Sequence, residues 1–134
     1  MTDQERNAKI KYLESYKWLN AEIEDDEERL ARLDARLYDA PIKKITDMPR
    51  GGQPVTMESL VAQKIELQEQ INAKCAQRKE IIDRIESLRD HRDRRILKLE
   101  FIDDLTHEQV AERINYSVAQ TRRYYEAALE RFEL

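Results

Sequence analysis

Apolar and aromatic side chains recur along residues 3–39 at Tyr12, Tyr16, Leu19, Ile23, Leu30, Leu33 and Leu37, with spacings of 4, 3, 4, 7, 3 and 4. Alternation of threes and fours is the signature of a coiled-coil seam, here with one gap. The gap falls on Asp26, inside "EIEDDEE". That run reads as a solvated acidic face crossing a weak seam position, with a docking surface for a basic partner as the alternative. Thr2, followed three residues later by Glu5, predicts a capping box at the start of this helix. Pro41 lacks an N–H and disfavours helical backbone at Ala40, so the helix is expected to stop near residue 39. Residues 40–56 then read as a loop. They hold all three prolines and both glycines, and Lys43, Lys44 and Arg50 make them locally basic.

A second helix is predicted from an N-cap at Thr56, with Glu58 suiting the dipole in the first turn, to about Leu88. Leu60, Leu67, Ile71, Ile81, Ile85 and Leu88 form its stripe, interrupted by Lys74 and Arg78, with Cys75 and Ile82 on a flank. Both helices come to roughly 50 Å. Two helices of equal length joined by a loop predict an antiparallel hairpin. Such a hairpin leaves apolar surface over, so a homodimer is expected, as a four-helix bundle.

From about Asp90 the long period gives way to three short helical segments. Asp90 and Asp93 are alternative caps for the first, which carries Ile96, Leu97, Leu99 and Phe101 and is broken by "DDL". "THEQ" sets Thr106 as an N-cap with Gln109 three residues on, and "SVAQ" does the same with Ser117 and Gln120. Two capping boxes this close define two short helices and a tight turn. Between them lie the features a helix-turn-helix needs. Ala111 is small at the crossing, Val110 and Ile114 face inward, and Asn115 takes the turn position that demands a left-handed backbone. Thr121, Tyr124, Leu129 and Phe132 are expected to close the core. The outward face then consists of Val118, Ala119, Arg122, Arg123 and Glu126, with Gln120 beside it. Small side chains followed by an arginine pair suit a major groove, where arginine reaches guanine edges or phosphates. Arg92, Arg94, Arg95 and Lys98 are candidates to grip the DNA backbone.

Composition bounds this picture. Charged residues are 39 % of the 134, and glycine and proline together number five, which suits long solvated helices rather than sheets. The net charge of −4 divides as −2, −1 and −1 over residues 1–50, 51–90 and 91–134, which counts against a nucleic-acid binder acting through bulk charge but not against a locally basic head. A single cysteine, Cys75, fits a reducing cytoplasm. No apolar run is long enough for a membrane span, and the N-terminus has no signal-peptide core. No catalytic constellation is present: His91 and His107 lie on separate segments, and "PRGGQP" lacks the lysine and hydroxyl residue of a phosphate loop. Neither metal nor cofactor is expected, and the chain does not read as an enzyme.

"RRILKLEFIDDLTHEQVAERINYSVAQTRRYYEAALERF" resembles sigma-factor region 4. It has a helix ending in an aromatic, then a leucine-threonine cap, "VAERI", "YS" and a late "AL". The whole chain, with "MPRGG" before the second helix, is similar to phage-encoded sigma-region-4-like proteins of Gram-positive bacteria, relatives of the ArpU and RinA late-gene regulators. Leu99 to Leu129 is the most specific part. The resemblance implies activation of phage or prophage transcription through promoter DNA, with RNA polymerase as a further partner. It carries Thr106 over as the cap of the supporting helix and Ser117 to Arg123 as the recognition face. His107 stands where tryptophan is frequent, and Thr121 where valine or isoleucine is usual.

The sequence therefore predicts an all-α protein: a long antiparallel helical hairpin or coiled coil over residues 1–89, and a sigma region 4-like helix-turn-helix over 90–134. The expected DNA-binding residues are Thr106, Ser117, Val118, Ala119, Gln120, Arg122, Arg123 and Arg95. Two other roles fit the same pattern: a coiled-coil interaction protein docking on RNA polymerase or another regulator, and a small-terminase-like packaging protein, which would need a ring.

Overall fold

The computed structural model describes residues 1–46 and 56–134, with side chains described outside 39–46. Among the described residues all regular structure is helical: α1 (Asp3–Thr46), α2 (Met57–Glu86), α3 (His91–Leu97), α4 (His107–Ile114) and α5 (Val118–Arg131). Lys98–Ile102 continues α3 as a π-helical turn. The all-α expectation holds. None of these helices is long and apolar enough to cross a membrane.

The predicted caps form. Thr2 and Glu5 exchange both bonds of a capping box, and Thr56 Oγ1 accepts the Ser59 N–H at 3.1 Å. The predicted stop before Pro41 does not occur, since α1 runs on to Thr46. A proline inside a helix forfeits one hydrogen bond and crowds the turn before it. That cost is local, and the Ile-Lys-Lys-Ile that follows has ordinary helix propensity. The rest of the expected loop, residues 47–55, lies outside the described residues. So do the Lys43, Lys44 and Arg50 side chains, on which the basic-linker reading rested.

The chain packs as two units, Ala21–Cys75 and Met1–Asn20 with Ala76–Leu134. In the first, α1 and α2 run antiparallel: Asp34 pairs with Lys64 at 2.7 Å and Asp26 with Lys74 at 2.6 Å. Ile23, Leu60 and Ile71 are buried, while Leu30, Leu33, Leu37 and Leu67 remain half-buried. The gap in the α1 seam and the first break in the α2 stripe meet each other. Asp26 is only 4 % exposed and accepts from both Lys74 Nζ and Arg29, the latter at 2.9 Å. At this residue the solvated reading of the acidic run fails, because a facing cation makes burial of the carboxylate tolerable. Glu24, Asp25, Glu27 and Glu28 are exposed as expected.

In the other unit, Leu13, Leu19, Ile81, Ile85 and Leu88 from the long helices share one core with Ile96, Leu97, Leu99, Val110, Ile114, Tyr125, Ala128, Leu129 and Phe132. The division expected between residues 89 and 90 follows the change in hydrophobic period. The packing divides elsewhere, because the short helices close their core only with side chains from both long ones. Leu13, fully buried beside Tyr12, widens the apolar stripe of α1, as befits a helix covered on more than one side.

Candidate nucleic-acid interface

The head is built by its turns. Asp90 is the N-cap of α3, accepting the Arg92 N–H at 2.8 Å. Asp93, the alternative cap, is buried instead and accepts both bonds, at 2.8 and 3.0 Å, from Arg131 Nη1 at the end of α5. Thr106 caps α4 with a complete box: its Oγ1 accepts the Gln109 N–H, and Gln109 Oε1 accepts the Thr106 N–H at 2.9 Å. Asn115 ends α4 in the left-handed region, at φ 60° and ψ 42°. Two residues later Ser117 caps α5 by accepting the Gln120 N–H at 3.1 Å. This second box is only half formed, because the Gln120 side-chain oxygen takes an Arg123 N–H at 3.2 Å instead of reaching back to the cap.

Val110, Ala111 and Ile114 are buried where α4 meets α5. Thr121 is fully buried, and its hydroxyl donates to the Ser117 carbonyl at 2.8 Å. A local acceptor thus lets threonine stand in an apolar position. Tyr124, predicted to face the core, packs half-buried against its edge, and the tyrosine buried within it is Tyr125. The Tyr125 ring lies 6.1 Å from Phe101 and 4.9 Å edge-on to His107. Burial first, then the nearby Glu100 carboxylate, push its hydroxyl up to about 12. His107 pairs through Nδ1 with Glu100, whose carboxyl burial holds above its usual range despite the imidazole. His107 therefore fills its site as an aromatic face with a polar edge.

On the outer side of α5, Val118 and Gln120 are half-buried, and Ala119, Arg122 and Arg123 are exposed. Thr106 and Ser117 are exposed at the helix starts. The structure thus brings Ser117 through Arg123 onto one end of one helix. Arg122 makes no hydrogen bond or ion pair with any of the described residues. Glu126, further along the same face, is occupied: Arg6 of α1 donates to both its carboxylate oxygens, at 2.6 and 2.8 Å. That guanidinium holds the Glu126 carboxyl below its ordinary range. Lys9 Nζ donates to the Leu129 and Glu130 carbonyls near the C-terminal end of α5.

The four cations expected to grip a DNA backbone have different roles. Arg94 donates to the Leu88 and Arg89 carbonyls, at 2.6 and 3.0 Å, and Lys98 pairs with Glu86. Both are committed to the joint after α2. Arg95 is exposed, with one N–H on the Arg113 carbonyl at 3.3 Å, so it sits at the end of α4. Arg92 lies 3.8 Å over the Tyr124 ring, and Tyr116, 44 % exposed, meets the other ring edge-on at 5.0 Å. The sequence reading missed this Arg92–Tyr124–Tyr116 stack. Its only sequence signal is the two tyrosines eight residues apart, one in the turn and one in the second turn of α5.

The family described as "Protein of unknown function (DUF1492)" matches residues 40–133. The chain belongs to the DUF1492 family. The DUF1492 match contains α2 and all of α3 to α5, so the candidate interface lies wholly within it. Arg6, Lys9 and Leu13, which complete the head, precede it. No curated protein and no solved structure matches the chain.

Proposed function

We propose that this DUF1492 protein is a DNA-binding transcription regulator that reads promoter sequence with the N-terminal half of α5. The observation that carries the reading is the pair Arg122 and Arg123, exposed on a helix whose start is fixed by a left-handed turn at Asn115 and a cap at Ser117. An α-helix fits the major groove, and small residues at Val118 and Ala119 allow the close approach from which arginine reaches base edges. Arg92 on its tyrosine shelf, and Arg95 beside α4, supply phosphate contacts that orient the helix without reading sequence. The absence of a basic net charge then implies that affinity comes from a few placed contacts rather than bulk attraction. The likeness to sigma region 4 supports promoter DNA of phage or prophage genes as the target, RNA polymerase as a second partner, and the cytoplasm as the place of action.

The test is a titration of helical, folded variants on a duplex bearing a site that the wild-type protein selects from fragments of the genome that encodes it. Arg122→Ala and Arg123→Ala are each expected to weaken specific binding by about 1–3 kcal/mol, and Arg92→Ala to weaken binding to all sequences and flatten its salt dependence. Unchanged affinity in both α5 variants would remove this face from the account.

A further inference from the structure

Within Ala21–Cys75, one side of α1 changes sign along its length. Glu22, Asp25 and Glu28 are followed by Arg29, Arg32 and Arg36. All six are exposed. Asp25 and Arg32 are seven residues apart, two helical turns, and so lie on one line, as do Arg29 and Arg36. Arg29 is engaged with Asp26, and Glu22 lies 3.8 Å from Lys74. Asp25, Arg32 and Arg36 make no hydrogen bond or ion pair with the described residues. Beside the arginines runs an open groove of about 510 Å³, floored by Leu33 and Leu67, with Gln63, Glu66 and Gln70 on its α2 side. Both floor leucines are only half-buried, so a helix laid along this side would cover apolar surface that the hairpin leaves wet.

We infer that the occupant of this face is a second copy of the same chain, docked α1 against α1 in the antiparallel sense. The charge order argues for this partner above others. A stripe that is acidic in its first half and basic in its second is complementary to itself reversed. A two-fold axis passing between Glu28 and Arg29 sets Asp25 opposite Arg32 of the second copy and brings Glu22 within one position of its Arg36. Each pair occurs twice, as an isologous interface requires. A parallel arrangement in register sets like charges together and is disfavoured. An unrelated acidic or basic partner would satisfy only half of the stripe. The interface uses neither α4 nor α5, so it stands or falls separately from DNA binding.

Sedimentation equilibrium of the full chain tests it, with far-ultraviolet circular dichroism to verify folding. The wild type is expected to be a dimer. Asp25→Arg and Arg32→Asp each place like charges opposite one another twice, and each alone is expected to self-associate about a hundredfold more weakly. An equimolar mixture of the two variants restores both pairs and is expected to dimerise again, as is the swapped double variant Asp25→Arg/Arg32→Asp. A monomeric wild type, a ring, or single variants that dimerise as well as wild type would overturn the proposal. The last result would assign self-association to another face, such as that of Met57, Val61 and Ile65, which are exposed.

Discussion

Asn115 holds a left-handed backbone between α4 and α5, and its amide N–H still bonds to the Ala111 carbonyl. A Cβ in that region costs about 1–2 kcal/mol, less for asparagine and nothing for glycine. Asn115→Ala is therefore expected to lower unfolding stability by about 1 kcal/mol, and Asn115→Gly to be near neutral, as read from denaturant midpoints. This residue was legible because few residue types tolerate its conformation. So were Thr106 and Ser117, whose side chains meet a demand set by the backbone alone. Which of Tyr124 and Tyr125 enters the core was not legible, because neighbours on a helix differ by only 100° and both border the buried face. Likewise nothing in a local pattern shows that Glu126 meets Arg6, 120 positions away.

Among the long helices, the informative positions are those that break the pattern. Asp26 and Lys74 each interrupt an apolar stripe, and together they form a pair with the carboxylate buried. The Lys74 hydrogen bond is the chief cause of an Asp26 carboxyl held below its ordinary range. A depressed carboxyl contributes stability above its unfolded value, and that contribution is lost as pH falls through its folded value. Lys74→Met leaves the buried carboxylate with Arg29 as its one remaining cation and is expected to cost about 1–2 kcal/mol, reduced from a fully buried pair because Arg29 stays in place and Lys74 itself reaches solvent. The double variant Asp26→Leu/Lys74→Leu is expected to be as stable as wild type or more so. It should also lose less stability between pH 5 and pH 3, both followed by thermal unfolding. A single sequence marks such positions as defects. Only their opposition across the hairpin shows that they answer each other. Proline misleads for the converse reason: Pro41 forbids one hydrogen bond, not a helix, and α1 continues past it.

At the scale of the molecule, hydrophobic period exposed the hairpin and the change of architecture near residue 90, but not which long-helix segments the head needs. The core that positions α5 draws on Leu13 and Leu19 from one end of the chain and Phe132 from the other. Arg6, Lys9 and Lys17 tie α1 to α5 and to Asp104. Held from several sides, α5 would lose little freedom on binding in the proposed role, which favours affinity from few contacts. It also means that the head should be studied with α1 attached.

The measurement that bears most directly on this account is selection of bound fragments from the genome that encodes the chain, by wild type and by the Arg122→Ala/Arg123→Ala variant, across a salt series. The account predicts one or a few enriched sites near promoters, lost in the variant and weakening as salt rises with the shallow slope that a few phosphate contacts give. Failure of the folded wild type to enrich any fragment at any salt, or identical enrichment by the variant, would contradict it.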